Sequence, residues 1–334
     1  MKQQIIHYTY AAGISNMTGL TLEHPSDDTA GVFTREGIRL SRQGRYEESI
    51  RWFERALTHD PQYAQAWMGK GHALGKLGRY QEEIEACNRA IELDPTLIQA
   101  LVNKAFALGQ LERFEEKIAV CDQAIRANPA YAHAWNAKGH ALGKMGRFED
   151  EAACCEIAVS LRPRYLGAMV NRGFAQMKLK RYEDAVDSFR QALRIYPGYL
   201  SAWIQCGTAL VLNGQNEAAL KCFDRAESLS PGNPHILFWK GLALSRKGDY
   251  TQALRCMEEL VEQDPRHAEA WIVISNCYFM LGKMDDSVRT FMVAYDIDKK
   301  DIKSCITRSV SLIRDGKMDD ALHSISQAFG ILLR

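Results

Sequence analysis

Apolar side chains recur along most of the chain at intervals of three, four and seven residues, which is the spacing of one helix face and not the alternation of a strand. The same arrangement returns every 34 residues. When residue 30 is counted as position 1 of the first repeat, position 11 is mostly leucine and position 17 is mostly tyrosine or phenylalanine. The pattern therefore predicts an all-α chain made of short helix pairs.

Prolines mark the period most clearly, because seven of the nine lie 34 residues apart, at Pro61, Pro95, Pro129, Pro163, Pro197, Pro231 and Pro265. Glycine at position 15 is expected to end the first helix of each pair, and proline at position 32 prevents the second from continuing. The frame predicts a leader of residues 1–29 and nine helix-turn-helix repeats, at 30–63, 64–97, 98–131, 132–165, 166–199, 200–233, 234–267, 268–301 and 302–334.

Two small positions predict how the helices of a pair meet. Position 8 is never larger than serine, and position 27 is alanine in eight of the nine repeats. Helices approach closely only where one of them offers almost no side chain, so these positions are expected at the contact between helices.

The residues of single repeats resemble a known family. Residues 64–97 carry Trp67, Lys70, Gly71, Leu74, Gly78, Tyr80, Ala90 and Pro95, and residues 132–165 repeat this set almost unchanged. This arrangement resembles the tetratricopeptide repeat over nearly the whole chain. The resemblance implies a right-handed superhelical solenoid with a concave groove lined by the first helix of every repeat.

A longer period lies over the first, because tryptophan returns every 68 residues at Trp67, Trp135, Trp203 and Trp271. Position 9 is histidine in repeats two and four, and phenylalanine in repeats three and five, where position 6 is asparagine. A duplicated two-repeat unit explains the alternation most simply, and it predicts alternating chemistry along the groove.

The family resemblance implies that positions 2, 5, 6, 9, 12 and 13 of each repeat face the groove. The predicted partner-binding residues are Gln65, His72, Lys76, Asn103, Phe106, Asn136, His140, Lys144, Asn171, Phe174, Phe238 and Trp239. Neutral donors and acceptors in repeats two to five suit the backbone of an extended peptide. Apolar residues in repeats six to eight suit an amphipathic helix, unless they pack on one another.

Charge is balanced overall but uneven in this groove. Lysine and arginine number 42 against 41 acidic residues, which gives no general attraction to nucleic acid. Position 13, however, is basic in six repeats and acidic in none, which favours an acidic partner. No apolar run is long enough to span a membrane, and nine cysteines without a C-x-x-C pair favour a reducing compartment, so a cytoplasmic protein is expected.

Possible catalytic or ligand chemistry is weak. The segments at 71–76 and 139–144, both Gly-His-Ala-Leu-Gly-Lys, have the wrong spacing for a phosphate loop. Cys87, Cys121 and Cys155 share position 24 of successive repeats, which is too wide a spacing for one zinc ion. The sequence therefore predicts no metal site, no cofactor and no enzymatic activity. It predicts a scaffold that binds a protein or peptide. The alternative is self-association through an uncapped C-terminal end around Ile331 and Leu332.

Position 20 departs from the alanine expected in the family, since Glu83, Lys117 and Glu151 stand there in successive repeats. Their alternating charges predict a partly buried ladder of ion pairs that joins three repeats. The alternative is that each side chain extends separately to solvent.

Overall fold

The computed structural model describes residues 29–297, and within this range the chain is entirely helical. The helices are α1 (Thr29–Arg42), α2 (Tyr46–His59), α3 (Ala64–Lys76), α4 (Tyr80–Leu93), α5 (Ile98–Gln110), α6 (Phe114–Ala127), α7 (Ala132–Lys144), α8 (Phe148–Leu161), α9 (Leu166–Lys178), α10 (Tyr182–Ile195), α11 (Leu200–Leu212), α12 (Asn216–Leu229), α13 (Pro234–Lys247), α14 (Tyr250–Gln263), α15 (Ala268–Met280) and α16 (Met284–Ile297). The prediction of an all-α chain of consecutive helix pairs is confirmed. The leader 1–28 and residues 298–334 lie outside the described range.

The chain divides into two compact units, and the division along the sequence falls between Arg181 and Tyr182. In the first unit α1 to α9 pack in chain order, each helix against the next. The odd-numbered helices of this unit also lie side by side, because α1 contacts α3, α3 contacts α5, α5 contacts α7 and α7 contacts α9. In the second unit α10 to α16 pack in the same order, and α13 contacts both α11 and α15.

The turn within each pair requires a left-handed backbone at position 15. Glycine supplies it at six turns of the described chain, with φ between 75° and 93°. Glu112 and Lys180 adopt the same conformation at the other two, with φ of 57° and 58°. Such a φ is unfavourable for a residue with a β-carbon, so the turn imposes on Glu112 and Lys180 a conformation that these residues rarely adopt.

Glycine at position 8 lets the position-24 side chain pack directly on the helix backbone. A β-carbon on Gly37, at position 8, would stand 2.7 Å from the ring of Phe53. The same ring also packs against Gly69, at position 6 of the next repeat, where a β-carbon would stand 2.5 Å away. In the second unit the ring of Phe223 packs on Gly207 in the same way, 2.6 Å from where a β-carbon would stand. In the repeats that have cysteine at position 24, Gly139 lies against Cys155 instead.

Successive repeats are joined by two recurring polar contacts. The indole of Trp67 donates to the carbonyl of Pro61 at 2.9 Å, and Trp135, Trp203 and Trp271 repeat this bond with the proline that precedes each of them. A basic residue at position 7 also pairs with an acid on the previous repeat, as in Lys138 with Asp122 at 2.7 Å. Between residues 29 and 297 the tryptophan bond occurs at every second junction.

We expect Gly139→Leu to destabilise the first unit strongly. A β-carbon there would stand 3.1 Å from Cys155 Sγ and 3.2 Å from the Glu151 carbonyl oxygen, so a leucine must force α7 and α8 apart. Overpacking of this kind lowers the free energy of unfolding by about 1 to 3 kcal/mol or more. Urea unfolding of the variant measures the effect, and Ala153→Leu on the exposed side of α8 is the control. Equal stability of the two variants would contradict the packing.

Candidate functional site

The first helices of the repeats form a continuous surface in the first unit, which we call the first-helix face: the side of α1, α3, α5, α7 and α9 that carries repeat positions 2, 5, 6, 9, 12 and 13. Most of the predicted binding residues of this unit keep some solvent exposure. Lys144 is exposed, and the half-buried ones are Gln65, His72, Lys76, Phe106, His140 and Phe174. Phe106 packs edge-on against Tyr80 of α4, with ring centroids 6.2 Å apart.

The predicted asparagines are buried and do not present their amides at this face. Asn103, Asn136 and Asn171 are 0%, 5% and 7% exposed. Asn103 accepts a hydrogen bond from Gln99 at 3.0 Å, and Asn171 donates to Asn136 at 3.0 Å. Their alanine variants are therefore expected to lose stability, and not binding alone, because Asn136 and Asn171 bond to each other inside the fold and the buried Asn103 accepts from Gln99 through its oxygen.

Asn136 belongs to a polar network that joins the fourth and fifth repeats. It donates to the Tyr165 hydroxyl at 3.3 Å, and His133 Nδ1 lies 2.8 Å from the same hydroxyl. Arg162 lies 3.0 Å from His133 Nε2, so the ring is neutral and carries its proton on Nδ1. Burial and the nearby Arg162 charge lower the pKa of His133, which is consistent with this assignment. The network fixes α9 against α7 and α8.

The position-20 side chains turn toward glycines at position 12 of their own repeats. A β-carbon on Gly75 would overlap the carboxyl group of Glu83, and one on Gly143 would overlap that of Glu151. Gly109 lies against Lys117 in the same way, with its β-carbon site 3.0 Å from Nζ. Sequence analysis missed this role of Glu83 and Glu151. The available signal was that glycine at position 12 occurs only in the three repeats with a charge at position 20.

The predicted ion-pair ladder is therefore wrong. In the described part of the chain no carboxylate lies within ion-pair distance of Lys117, whose Nζ is 3.4 Å from Nδ1 of His140. Glu83 is fully buried, and neither of its carboxyl oxygens has a hydrogen-bond partner. Each side chain fills the gap beside its own glycine, and the contact that Lys117 makes with His140 of the next repeat is not an ion pair between position-20 side chains.

Burial sets the protonation of these groups. Desolvation raises the pKa of Glu83 to about 8, opposed by the charge of Lys76, and raises that of Glu151 to about 7, opposed by Lys144. Desolvation also lowers the pKa of His72 to about 4, helped by Lys76. His140 falls to about 3 in pKa, from desolvation first and then from the charges of Lys117 and Lys144.

The same constellation thus occurs twice in the first unit. Each copy has a neutral histidine and a lysine one turn apart on a first helix, with a glycine between them and a buried glutamate reaching across from the second helix. We call these the α3 cluster and the α7 cluster. The α3 cluster is His72, Gly75, Lys76 and Glu83, and the α7 cluster is His140, Gly143, Lys144 and Glu151.

The apolar positions of the second unit are mostly internal. Val211, Leu242 and Val273 are at most 1% exposed, so they pack within the unit and form no open apolar groove. Phe238 and Trp239 are half-buried; Phe238 stacks on His267 with ring centroids 5.1 Å apart and meets Trp239 edge-on at 5.5 Å. Arg246, one of the predicted basic groove residues, donates to the Val211 carbonyl at 2.9 Å.

Other chemistry finds little support between residues 29 and 297. No three histidine, cysteine or acidic residues there are placed to hold a metal ion. The segments 71–76 and 139–144 lie inside α3 and α7 and form no loop that could surround a phosphate. Burial raises the pKa of the Cys121 thiol to about 12, so it is unreactive. None of the helices in this range is long and apolar enough to cross a membrane.

Comparison with protein families finds two descriptions. Models described as tetratricopeptide repeat match residues 34–98, 98–131, 132–165 and 168–199. A model described as anaphase-promoting complex, cyclosome, subunit 3 matches residues 212–294. A search of curated proteins found no match.

Several solved structures are similar to the chain. PilW, a widely conserved type IV pilus biogenesis factor, is 20% identical with a TM-score of 0.56, over 63% of this chain and 98% of its own. A tetratricopeptide repeat protein of Parabacteroides merdae ATCC 43184 is 11% identical with a TM-score of 0.53, over 74% and 98%. YrrB, a repeat protein with an unusual peptide-binding site, is 25% identical with a TM-score of 0.48, over 55% and 94%. At these identities PilW and the Parabacteroides protein show the shared fold alone.

A double-mutant cycle tests whether the Glu83 carboxyl occupies the gap at Gly75. Gly75→Ala should destabilise the wild type, because the new β-carbon overlaps the carboxyl group. In a Glu83→Ala background the gap is empty, and the same change should stabilise by about 1 kcal/mol, as glycine to alanine does inside a helix. Urea unfolding of the four proteins measures the coupling. An identical effect of Gly75→Ala in both backgrounds would show that the gap is not shared.

The pH dependence of stability isolates the charge of Glu83. Its pKa is raised in the fold, so the stability contributed by the neutral carboxyl is present below the ordinary value of 4.5 and is lost as pH rises through about 8. Relative to Glu83→Gln, the wild type should lose on the order of 3 kcal/mol by pH 7, at about 1.4 kcal/mol per pKa unit. Urea titrations across this range measure the difference, with Glu85→Gln on the exposed side of α4 as control. A difference independent of pH would contradict the buried neutral acid.

Proposed function

Because the chain belongs to the tetratricopeptide repeat family, whose repeats generally mediate protein–protein interactions, we propose that its first unit binds an extended, acidic segment of a partner protein along the first-helix face. Repeat scaffolds of this family are generally non-enzymatic. Binding of this kind requires no reactive group, only a surface of complementary charge and shape.

Charge carries the proposal. None of the face positions from residue 30 to residue 181 is aspartate or glutamate, whereas Arg42, Lys76 and Lys144 are basic. Glu83 and Glu151 approach this face from the second helices; burial raises the pKa of Glu83 to about 8 and that of Glu151 to about 7, so at pH 7 Glu83 is mainly neutral and Glu151 only partly ionised. The fixed negative charge near the lysines is thereby reduced, and a partner that supplies carboxylates would be attracted.

Lys117 adds to this field only in its charged form. It is 7% exposed, and its Nζ lies 3.4 Å from Nδ1 of His140. Burial lowers the pKa of Lys117, because the fold gives the charged form little solvation and no acid in the described chain compensates for it. An anionic occupant beside α5 and α7 would stabilise the charged form.

The arrangement of the face supports an extended occupant. A segment that crosses α3, α5 and α7 in turn meets a histidine, a phenylalanine and a histidine at position 9, at His72, Phe106 and His140. Since these side chains are half-buried, they offer ring faces with little loss of side-chain freedom on binding. The predicted role of the asparagines is revised accordingly: they hold the face in place from below.

Of the two earlier alternatives, one is less supported by the structure and the other stays a prediction. Docking of an amphipathic helix on the second unit needs an open apolar groove, and most of those residues are internal. Phe238 and Trp239 remain a smaller half-buried aromatic patch there. Association through the C-terminal end concerns Ile331 and Leu332, which lie outside the described residues.

Selection from a library of random linear peptides tests the proposal. Peptides retained by the wild type should be enriched in aspartate and glutamate, and their binding should weaken with salt because the contacts are electrostatic. The variant Lys76→Gln with Lys144→Gln should bind them about tenfold or more weakly, which corresponds to roughly 1.4 kcal/mol. Fluorescence polarisation measures the affinities.

Charge-matched changes in the second unit, Lys221→Gln with Lys247→Gln, provide the control for this test. They remove the same charge from exposed helix positions away from the face, so affinity should stay at the wild-type value. Enrichment of neutral or apolar peptides, or equal affinity of the two double variants, would reject the acidic segment.

A further inference from the structure

The first-helix face carries the same chemical group twice, and the copies are separated by one repeat that lacks it. Residues 71–76 and 139–144 are identical, and a glutamate follows each lysine at the same distance, at Glu83 and Glu151. In the intervening repeat the equivalent positions 9 and 13 are Phe106 and Gln110. The alternation is thus cluster, spacer, cluster.

The structure reproduces the duplication in three dimensions. In both clusters the carboxyl group fills the gap beside a glycine, and the lysine lies close enough to influence both the histidine and the glutamate. Both belong to the same compact unit. The two copies therefore offer a partner group the same four residue types in the same arrangement.

The distance between the clusters follows from the packing. Helices in contact lie about 8 to 10 Å apart, so α3 and α7, with α5 between them, are separated by roughly 16 to 20 Å. An extended chain advances about 3.3 Å per residue, so this separation corresponds to about five or six residues. Two side chains at that spacing on one segment can reach both lysines together.

The spacer contributes an amine but no third cluster. Its position-20 side chain, Lys117, lies in the gap beside Gly109, and its Nζ is 3.4 Å from Nδ1 of His140 in the α7 cluster. A segment that crosses the spacer thus passes the buried Lys117 and the ring of Phe106, and it meets no acid at a face position.

We propose that the α3 and α7 clusters are two equivalent half-sites for a single partner segment that carries two acidic side chains, or two acidic pairs, about five or six residues apart in extended conformation. This inference rests on the proposed function and adds the required spacing between the two acidic groups of the partner segment. One acid binds at Lys76 and His72, and the other at Lys144 and His140. Binding at one half-site raises the effective concentration of the second acid at the other.

Two labelled peptides of equal composition and charge test the spacing. The spaced peptide has two glutamate pairs separated by about five glycine and serine residues, and the compact peptide has its glutamates contiguous, so only the spaced one spans roughly 16 to 20 Å. The spaced peptide should bind the wild type about tenfold or more tightly than the compact one. Titration calorimetry should show one spaced peptide per chain but two compact ones.

Variants of single half-sites sharpen the test. Lys76→Gln and Lys144→Gln should each remove the advantage of the spaced peptide and reduce the compact stoichiometry to one. Lys178→Gln changes an exposed lysine of α9 that has phenylalanine in place of the cluster histidine, and it should retain the advantage. Helical circular dichroism verifies that each variant is folded.

The outcomes separate the two proposals. Equal affinity and equal stoichiometry of the two peptides on the wild type would overturn the paired half-sites while leaving acidic binding intact. Failure of both peptides to bind would reject the acidic segment, and with it the required spacing. An advantage of the spaced peptide that survives in Lys144→Gln would place its second contact elsewhere and overturn the assignment.

Discussion

The close contact of two helices at a residue without a side chain is the constraint on which this structure depends. Where position 8 is glycine, the partner helix comes near enough for one side chain to rest on the backbone, as Phe53 does on Gly37. Protein interiors are packed densely, so a smaller side chain at this contact must be compensated by a larger one beside it. The repeats differ mainly in which neighbouring side chain fills the space.

The first unit fills this space in two ways. Its first repeat uses a large ring at position 24 and the small Ser49 at position 20. The next three use cysteine at position 24 and a long charged side chain at position 20, and glycine at position 12 makes room for the charged end. This difference in packing brings ionisable groups from the second helices toward the first-helix face. Their burial is also what holds Glu83 neutral, so the electrostatics of the face follow from its packing.

The fold was readable from the sequence because its signals are periodic and local. Proline spacing, the turn glycines and the apolar period each mark helix ends or faces, and they agree over many copies. The candidate site was readable only in part. The positions of Lys76, His72 and Lys144 on the face follow from helix geometry, but the burial of Asn103 and Asn171 depends on packing that the helix period does not reveal. Likewise the identity of Glu83 gives no direction for its side chain, and that direction was decided by the missing β-carbon of Gly75.

The tryptophan bonds divide the junctions between repeats into two kinds. Trp67 and Trp135 tie their repeats to the preceding ones through a proline carbonyl, while the junction between the fourth and fifth repeats is closed by Asn136 and Asn171 instead. The stability of a stacked array is close to a sum over units and junctions. With junctions of alternating type, the element of construction is the pair of repeats: a whole pair can be added or removed without creating a new kind of junction.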